Sequence, residues 1–259
     1  MTTDHRDTIR REFGKQAAHF GEAGLTLSNE EYLSWMVGAL GAEPHWRVLD
    51  VAAGTGHLSR ALAPRVAHVT AVDLTPEMLE DGRRQAAKDG IANVTFEEGD
   101  AERLPYGDDA FDMVTTRLSF HHFVNARPAL SEMVRVCRSG GRVAVIDLLS
   151  PDDAALAERY NGYERLRDPS HVRALTRDEL TRLIETSGLA IEEAAVRDVQ
   201  VVTERWLAMT HTPESAAQRI RAALAEEVAG GTPTGMRAVA RDGAVGFLHA
   251  WAIVIARKT

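Results

Sequence analysis

From Arg47 to about Leu149, short apolar runs alternate with stretches of helical periodicity. That is the pattern of a parallel sheet whose strands are joined by crossover helices. Four runs read as buried strands: RVLDV at 47–51, VTAVDL at 69–74, DMVTTR at 112–117 and RVAVIDLL at 142–149. NVTFEEGD at 93–100 is a fainter fifth, a sixth is expected near 190–199, and the aromatic and β-branched run FLHAWAIVIARK at 247–258 suits a closing strand. The helices between them carry start and stop signals. In TPEMLEDGRRQAAKDG, Thr75 can cap the start, Pro76 takes the first helical position and Gly90 stops the helix. Thr176 and Glu179 have capping-box spacing ahead of apolar Leu180, Leu183 and Ile184, with Gly188 as the stop. Two segments, 150–175 and 203–243, interrupt the alternation as helical insertions, and AGGTPTGM at 229–236 inside the second reads as a mobile loop. The first 45 residues are mostly helical, with Phe13, Gln16, Ala17 and Phe20 on one face. The pattern therefore predicts one α/β domain over 1–259: a helical N-terminal segment at 1–45, a core at 46–149 and two insertions that cap it.

Composition removes several classes of function. No long apolar run and no basic-then-apolar leader is present, so the expectation is a soluble, cytoplasmic chain without membrane insertion. Thirty Lys and Arg against 38 Asp and Glu give a net charge of -8, which offers no footprint for a phosphate backbone and argues against nucleic acid. A lone cysteine, Cys137, excludes an internal disulfide and a cysteine-rich metal cluster, and its apolar neighbours mark it as packing. A homodimer is compatible with these numbers.

VLDVAAGTGHLSRAL at 48–62 carries the chemistry. Gly54 and Gly56 bring a backbone close to a ligand, yet Asp50 would oppose a phosphate there. An open parallel sheet binds at the carboxyl ends of its strands, so the loops after 51, 74, 100 and 117 should meet in one crevice. Three of these strand ends carry an aspartate, Asp50, Asp73 and Asp100, with no lysine beside them. Such a site favours a ligand with cationic and hydroxyl groups over a pyrophosphate. S-adenosylmethionine has a sulfonium, an amino group, two ribose hydroxyls and an adenine amino group.

VLDVAAGTGHLS, VTAVDLTPEMLE, GDAERLPYGDDAFDMVTTRLSFHHF and CRSGGRVAVIDLLSP follow one another in order and register. Together they resemble the successive motifs of class I S-adenosylmethionine-dependent methyltransferases, closest to the ubiquinone/menaquinone-biosynthesis type, over roughly residues 10–200. The resemblance implies a Rossmann-like, seven-stranded, mostly parallel sheet with helices on both faces, an N-terminal helical lid, and insertions after the fifth and sixth strands. It implies that the turn from Asp50 through Ala52 and Gly54 to Gly56 packs against the methionine part of the cofactor. By the same resemblance Asp73 accepts from both ribose hydroxyls, Leu74 and Met78 flank the adenine, Asp100 and the backbone of Ala101 meet its amino group, and Phe20 and Arg117 complete the pocket. Ala52 departs from the pattern, since many relatives have a first glycine there.

The acceptor implied is a small molecule, methylated on O, N or C. SFHHF follows the fourth strand, where the transferred methyl should point, so His121 or His122 is a candidate general base and equally a loop-fixing pair. Asn161, Glu164, Arg167, Asp168, Ser170 and His171 crowd the first insertion. They read either as ion pairs that fix it or as an acceptor pocket in which His171 or Arg167 orients the substrate, His171 approaching the cavity opposite SFHHF. A metal held by a SFHHF histidine, Asp147 and His171 is conceivable by ligand type, but no spacing demands it, and none is expected. The rival functions are a cofactor-binding protein that does not methylate and a nicotinamide oxidoreductase, the latter opposed by Asp50 and the missing G-x-G-x-x-G run.

Overall fold

β1 (Arg47–Val51) lies where the order of the sheet reverses, between β2 (His68–Asp73) and β4 (Phe111–Arg117), and this placement creates the crevice. The computed structural model describes residues 3–20, 26–241 and 243–259, apart from the side chains of Thr3 and of 18–20. With β3 (Val94–Glu98), β5 (Cys137–Leu149), β6 (Leu189–Val202), β7 (Ala238–Arg241) and β8 (Ala244–Lys258), the sheet runs β3-β2-β1-β4-β5-β8-β6, and β7 pairs with β8. β8 is antiparallel to β5, β6 and β7, while β1 to β5 run parallel where they pair.

Both faces of the central strands are apolar because both are covered. Val48, Met113, Ile146 and Ile253 bury one face against α2 (Glu30–Leu40), α3 (His57–Leu62), α8 (Thr203–Met209) and α9 (Glu214–Val228). Leu49, Val114, Val145 and Val254 bury the other against α5 (Ala126–Val136) and α7 (Arg177–Glu185). The remaining helices are α1 (Thr3–Phe20), α4 (Pro76–Lys88) and α6 (Ala154–Arg167). No described helix is long and apolar enough to cross a membrane.

The seven expected strands are present, with local differences. β5 begins at Cys137, and the ladder shifts register between Phe111 and Met113 so that Met113 meets Arg142. β7 is an extra strand inside the second insertion. AGGTPTGM is pinned: the backbone N–H and hydroxyl of Thr234 donate to Glu227, Met236 is fully buried, and a Cβ at Gly235 would stand 2.6 Å from the Leu156 carbonyl oxygen. The capping box of Thr176 and Glu179 forms, whereas the Thr75 hydroxyl makes no cap at the start of α4; Asp73 Oδ1 accepts from the Thr75 N–H at 2.8 Å.

Phe96 of β3 lies over two glycines. A Cβ would fall 2.6 Å from its ring at Gly56 and 2.4 Å at Gly82. Gly to Ala inside a helix normally stabilises by about 1 kcal/mol. At Gly82 the ring must move, so Gly82→Ala is expected to destabilise by about 1–3 kcal/mol. A thermal or denaturant melt reads the sign, and a stabilised variant would show that Phe96 does not lock β3 onto α4.

Candidate functional site: a cavity at the carboxyl ends of the parallel strands

The loops after β1, β2, β3 and β4 meet at one cavity, roofed by α1 and extended toward α6, α8 and β8. Ala52, Gly54 and Thr55 line it from the first loop. Ala52 and Leu118, at the ends of β1 and β4, hold φ of 53° and 55°, a region that side chains other than glycine avoid and that clusters at functional sites. This is why glycine is the usual residue at the first turn position. Gly54, at φ 56°, has nothing within 4 Å of the place a Cβ would occupy, so its bare backbone faces open cavity.

Two members of this motif sit elsewhere. Gly56 does not line the cavity; it starts α3 at φ 72° and makes room for Phe96. Asp50 lies below the wall, wholly buried, with Oδ2 accepting from the Ser59 hydroxyl at 2.5 Å and Oδ1 without a partner among the described residues. Burial outweighs the Ser59 bond and the charge of Arg117, and lifts its carboxyl to about 6.

Asp73 lines the cavity with its carboxylate locked from behind: Oδ2 accepts from the Gly54 N–H at 2.8 Å and Oδ1 from the Thr75 N–H at 2.8 Å. Each oxygen keeps a further acceptor site, so the pair can take two neighbouring hydroxyls. Burial raises its pKa against those two bonds. Leu74 and Ala101 also line the cavity, whereas Met78 is wholly buried in the first turn of α4, away from it. Asp100 reaches the wall but is partly engaged, with Arg6 of α1 2.6 Å from Oδ2 and the Glu102 N–H donating to Oδ1 at 2.9 Å. Arg117 lines the cavity, donates to the Leu27 carbonyl at 3.0 Å, and is pulled down to about 10 by burial.

The expectation of aspartates with no lysine beside them leaves out the arginines that reach them in the fold. Arg6 pairs with Asp100, Arg10 donates to the Leu74 carbonyl at 3.2 Å, and Arg117 acts on Asp50. Arg6 and Arg10 come from α1, spaced like Phe13 along the face that also sends Ile9, Phe13 and Gln16 into the cavity. The signal was their helical spacing, which lysine-counting near the motifs overlooks. The Phe20 side chain lies outside the described residues.

At the far end, His121 and His122 occupy a single 3₁₀ turn at Phe120–His122 and both line the cavity. His121 Nδ1 lies 2.6 Å from Asp147 Oδ1, and its N–H donates to Asp147 Oδ2 at 3.1 Å. Burial disfavours the imidazolium, but Asp147, Glu164 and Asp168 outweigh it and hold the His121 pKa above the usual imidazole value. Because a carboxylate only accepts, Nδ1 carries the hydrogen, and Nε2 is the atom left for the cavity. His122 faces Ser170 through Nδ1 at 3.1 Å and meets Phe13 edge to face at 5.0 Å; burial and His121 push it down to about 4.

His171 does not reach the cavity from the opposite side. It lies behind the pair, 5.3 Å from the His121 ring, with Nε2 2.9 Å from Asn161 Oδ1, and burial takes it down to about 2. Asn161 Oδ1 also accepts from the Ala174 N–H at 2.7 Å, so this polar set fixes the chain after α6. Among the described residues no group of three His, Cys, Asp or Glu side chains could hold a metal ion. Asp147, Trp206, His249 and Trp251 were not assigned to an acceptor end by motif, although a charged or imidazole residue inside an apolar strand is itself a signal.

Residues 48–141 match the family described as a methyltransferase domain. The uncharacterized methyltransferase YcgJ of Bacillus subtilis is 34% identical over 208 residues, 80% of this chain and 82% of that protein. Its crystal structure matches with TM-score 0.79 at 30% identity, covering 89% of this chain and 100% of that one. A demethylmenaquinone methyltransferase of Clavibacter sepedonicus is 40% identical over 130 residues, about half of each chain at 50% and 52%.

S-adenosylmethionine, the ligand that the motifs imply, fits these walls: Asp73 offers two acceptors to a diol and Gly54 leaves room where any side chain would intrude. Asp73→Ala is expected to weaken its binding by about 2–3 kcal/mol, the scale of a lost charge-assisted acceptor of two bonds. Calorimetric titration checks this, and affinity within about twofold of the parent would take Asp73 out of the ribose site.

Proposed function

We propose, from the premise that this chain belongs to the S-adenosylmethionine-dependent methyltransferase family and uses that cofactor, that it methylates a hydroxyl oxygen of a small, flat organic molecule in the cytoplasm. The observation that carries this reading is the buried pair of His121 and Asp147 at the cavity wall. When bound, S-adenosylmethionine supplies an electrophilic methyl group on a sulfonium. Asp73 holds the ribose, Leu74 and Ala101 border the adenine with the free part of Asp100, and the bare Gly54 backbone admits the methionine end. α1, through Ile9, Phe13 and Gln16, keeps water from the reacting groups.

His121 Nε2 takes the proton of the acceptor hydroxyl, and Asp147 steadies the imidazolium that results. Phe13, Phe123, Trp206 and Trp251 give the cavity aromatic walls that suit a planar body. The acidic surface supports a small acceptor over nucleic acid. The Clavibacter relative is named for a quinone precursor, but it matches half of this chain, and His249 and Trp251 lie outside the 48–141 family match.

His121→Ala is expected to lower turnover by about a hundredfold, typical of a lost general base, with cofactor affinity nearly unchanged. Activity should fall as pH drops through the raised His121 pKa, because the protonated ring cannot accept. In Asp147→Asn burial is no longer opposed by that charge, so the acid limb should move to lower pH while the maximum falls. S-adenosylhomocysteine release across pH, with hydroxylated aromatic acceptors, reads both; parental turnover in His121→Ala would end the base assignment.

A further inference from the structure

A second histidine and carboxylate pair faces the same cavity, from elements that the family match does not reach. His249 of β8 places Nε2 2.9 Å from Oε1 of Glu164 on α6, and both side chains are buried. Burial opposes ionisation of Glu164, yet the hydrogen bond of His249 and the charge of Arg167 prevail and hold it well below the usual carboxylate range. Glu164 is thus an anion that only accepts, and Nε2 carries the hydrogen between them. The position is tightly defined. Arg167 Nη1 stands 3.5 Å from Glu164 Oε2, its Nε donates to the Trp206 carbonyl at 3.1 Å, and its guanidinium lies 4.8 Å over the Trp206 ring. Phe247, Tyr160 and Trp206 meet the imidazole edge-on at 5.0, 6.1 and 6.4 Å.

This arrangement leaves one polar atom over. Nδ1 of His249 bonds to no described residue and is not sealed from the cavity that the residue lines. A buried histidine and carboxylate pair is a poor source of stability, and at a strand position among aromatic rings an apolar side chain would pack as well. The base chemistry of His121 makes no use of it. In a neutral ring Nδ1 is an acceptor, and its complement is a hydroxyl or amine hydrogen.

We infer that His249, aimed by Glu164 as its positioning residue, is a specificity-determining contact that accepts a hydrogen bond from a second hydroxyl or amine of the acceptor. The inference rests on the reading above, in which a first hydroxyl meets His121. Two polar points on opposite elements fix the rotation of a flat molecule in an aromatic slot, and an acceptor lacking the second donor leaves a buried nitrogen unpaired. Sites built to bond a hydroxyl discriminate strongly against analogues that lack it.

The test compares S-adenosylhomocysteine release with dihydroxy and aminohydroxy benzenes and naphthalenes against phenol and the naphthols. The full-length parent should prefer the bifunctional compounds by at least about tenfold in kcat/KM. His249→Phe should erase that preference through KM on the bifunctional compounds, with cofactor affinity in place to report the fold. His249→Asn, which keeps an acceptor near the Nδ1 position, and Glu164→Gln, which keeps the acceptor for Nε2–H, should each restore part of it, whereas Glu164→Ala should not. Equal use of both sets by the parent, or an undiminished preference in His249→Phe, overturns this inference and leaves the role of His121 standing. A His121→Ala variant with parental turnover sinks the base reading, even where the His249 preference holds. Turnover of neither set overturns both.

Discussion

Asp147 is the residue on which the histidine end of the cavity is built. Its carboxylate sits near the carboxyl end of a buried strand, where an unpaired charge would be prohibitive, so its oxygens are committed to three donors: the His121 ring, the His121 N–H and the Leu148 N–H. These bonds do more than satisfy the charge. They draw the 3₁₀ turn after β4 onto β5, set the tautomer of His121, and hold its carbonyl where the N–H groups of Val172 and Arg173 donate at 2.9 and 3.1 Å. One strand position thereby fixes the turn, the His121 ring and the segment that follows α6. Losing one partner of a buried ionic pair costs about 3–5 kcal/mol because the other is stranded.

The opposite end of the cavity is held by weaker means. α1 reaches the loops after β2 and β3 through Arg10 and Arg6, and the Arg6–Asp100 pair is partly exposed, at 33% and 23%. Such pairs contribute about 0.2–1 kcal/mol each. The attachment of the helix therefore leans on the burial of Ile9 and Ala17 and on the contact of Phe13 with His122. A roof held this way is attached less firmly than His121 beneath it, which β4 and β5 fix.

The cofactor half was legible in the sequence because its information is local. RVLDV, its glycine turn and the aspartate ending VTAVD each encode a strand and its own loop, and the alternation of apolar runs sets where those loops go. What local pattern could not show is which side of a wall a residue takes. Asp50 and Met78 belong to the motifs yet face inward, and Gly56 answers to Phe96, a residue forty positions away in sequence. Thr75 carries good capping chemistry, yet its hydroxyl caps no N–H of α4. β7 was hidden because AVAR is too short to show a period, and it becomes a strand only by pairing with β8.

The histidine half of the cavity is assembled from remote pieces: a turn after β4, a position in β5, two turns of α6, a tryptophan in α8 and a histidine in β8. No spacing rule links them. Yet two of them announce themselves as violations of the strand pattern, Asp147 within RVAVIDLL and His249 within FLHAWAIVI. A strand buried on both faces tolerates a polar residue only when a partner is brought to it, so each predicts a buried partner at the same layer without naming it. The pairing register supplies what is missing: β5 and β8 are neighbours, Asp147 stands opposite Ala252 and Leu149 opposite Ala250, which puts His249 at the same end of the sheet as Asp147. The two exceptions to the apolar pattern therefore meet at one end of the sheet, His249 on the cavity wall and Asp147 behind His121, and a buried polar residue in an otherwise apolar strand is the most direct sequence signal of where that wall is built.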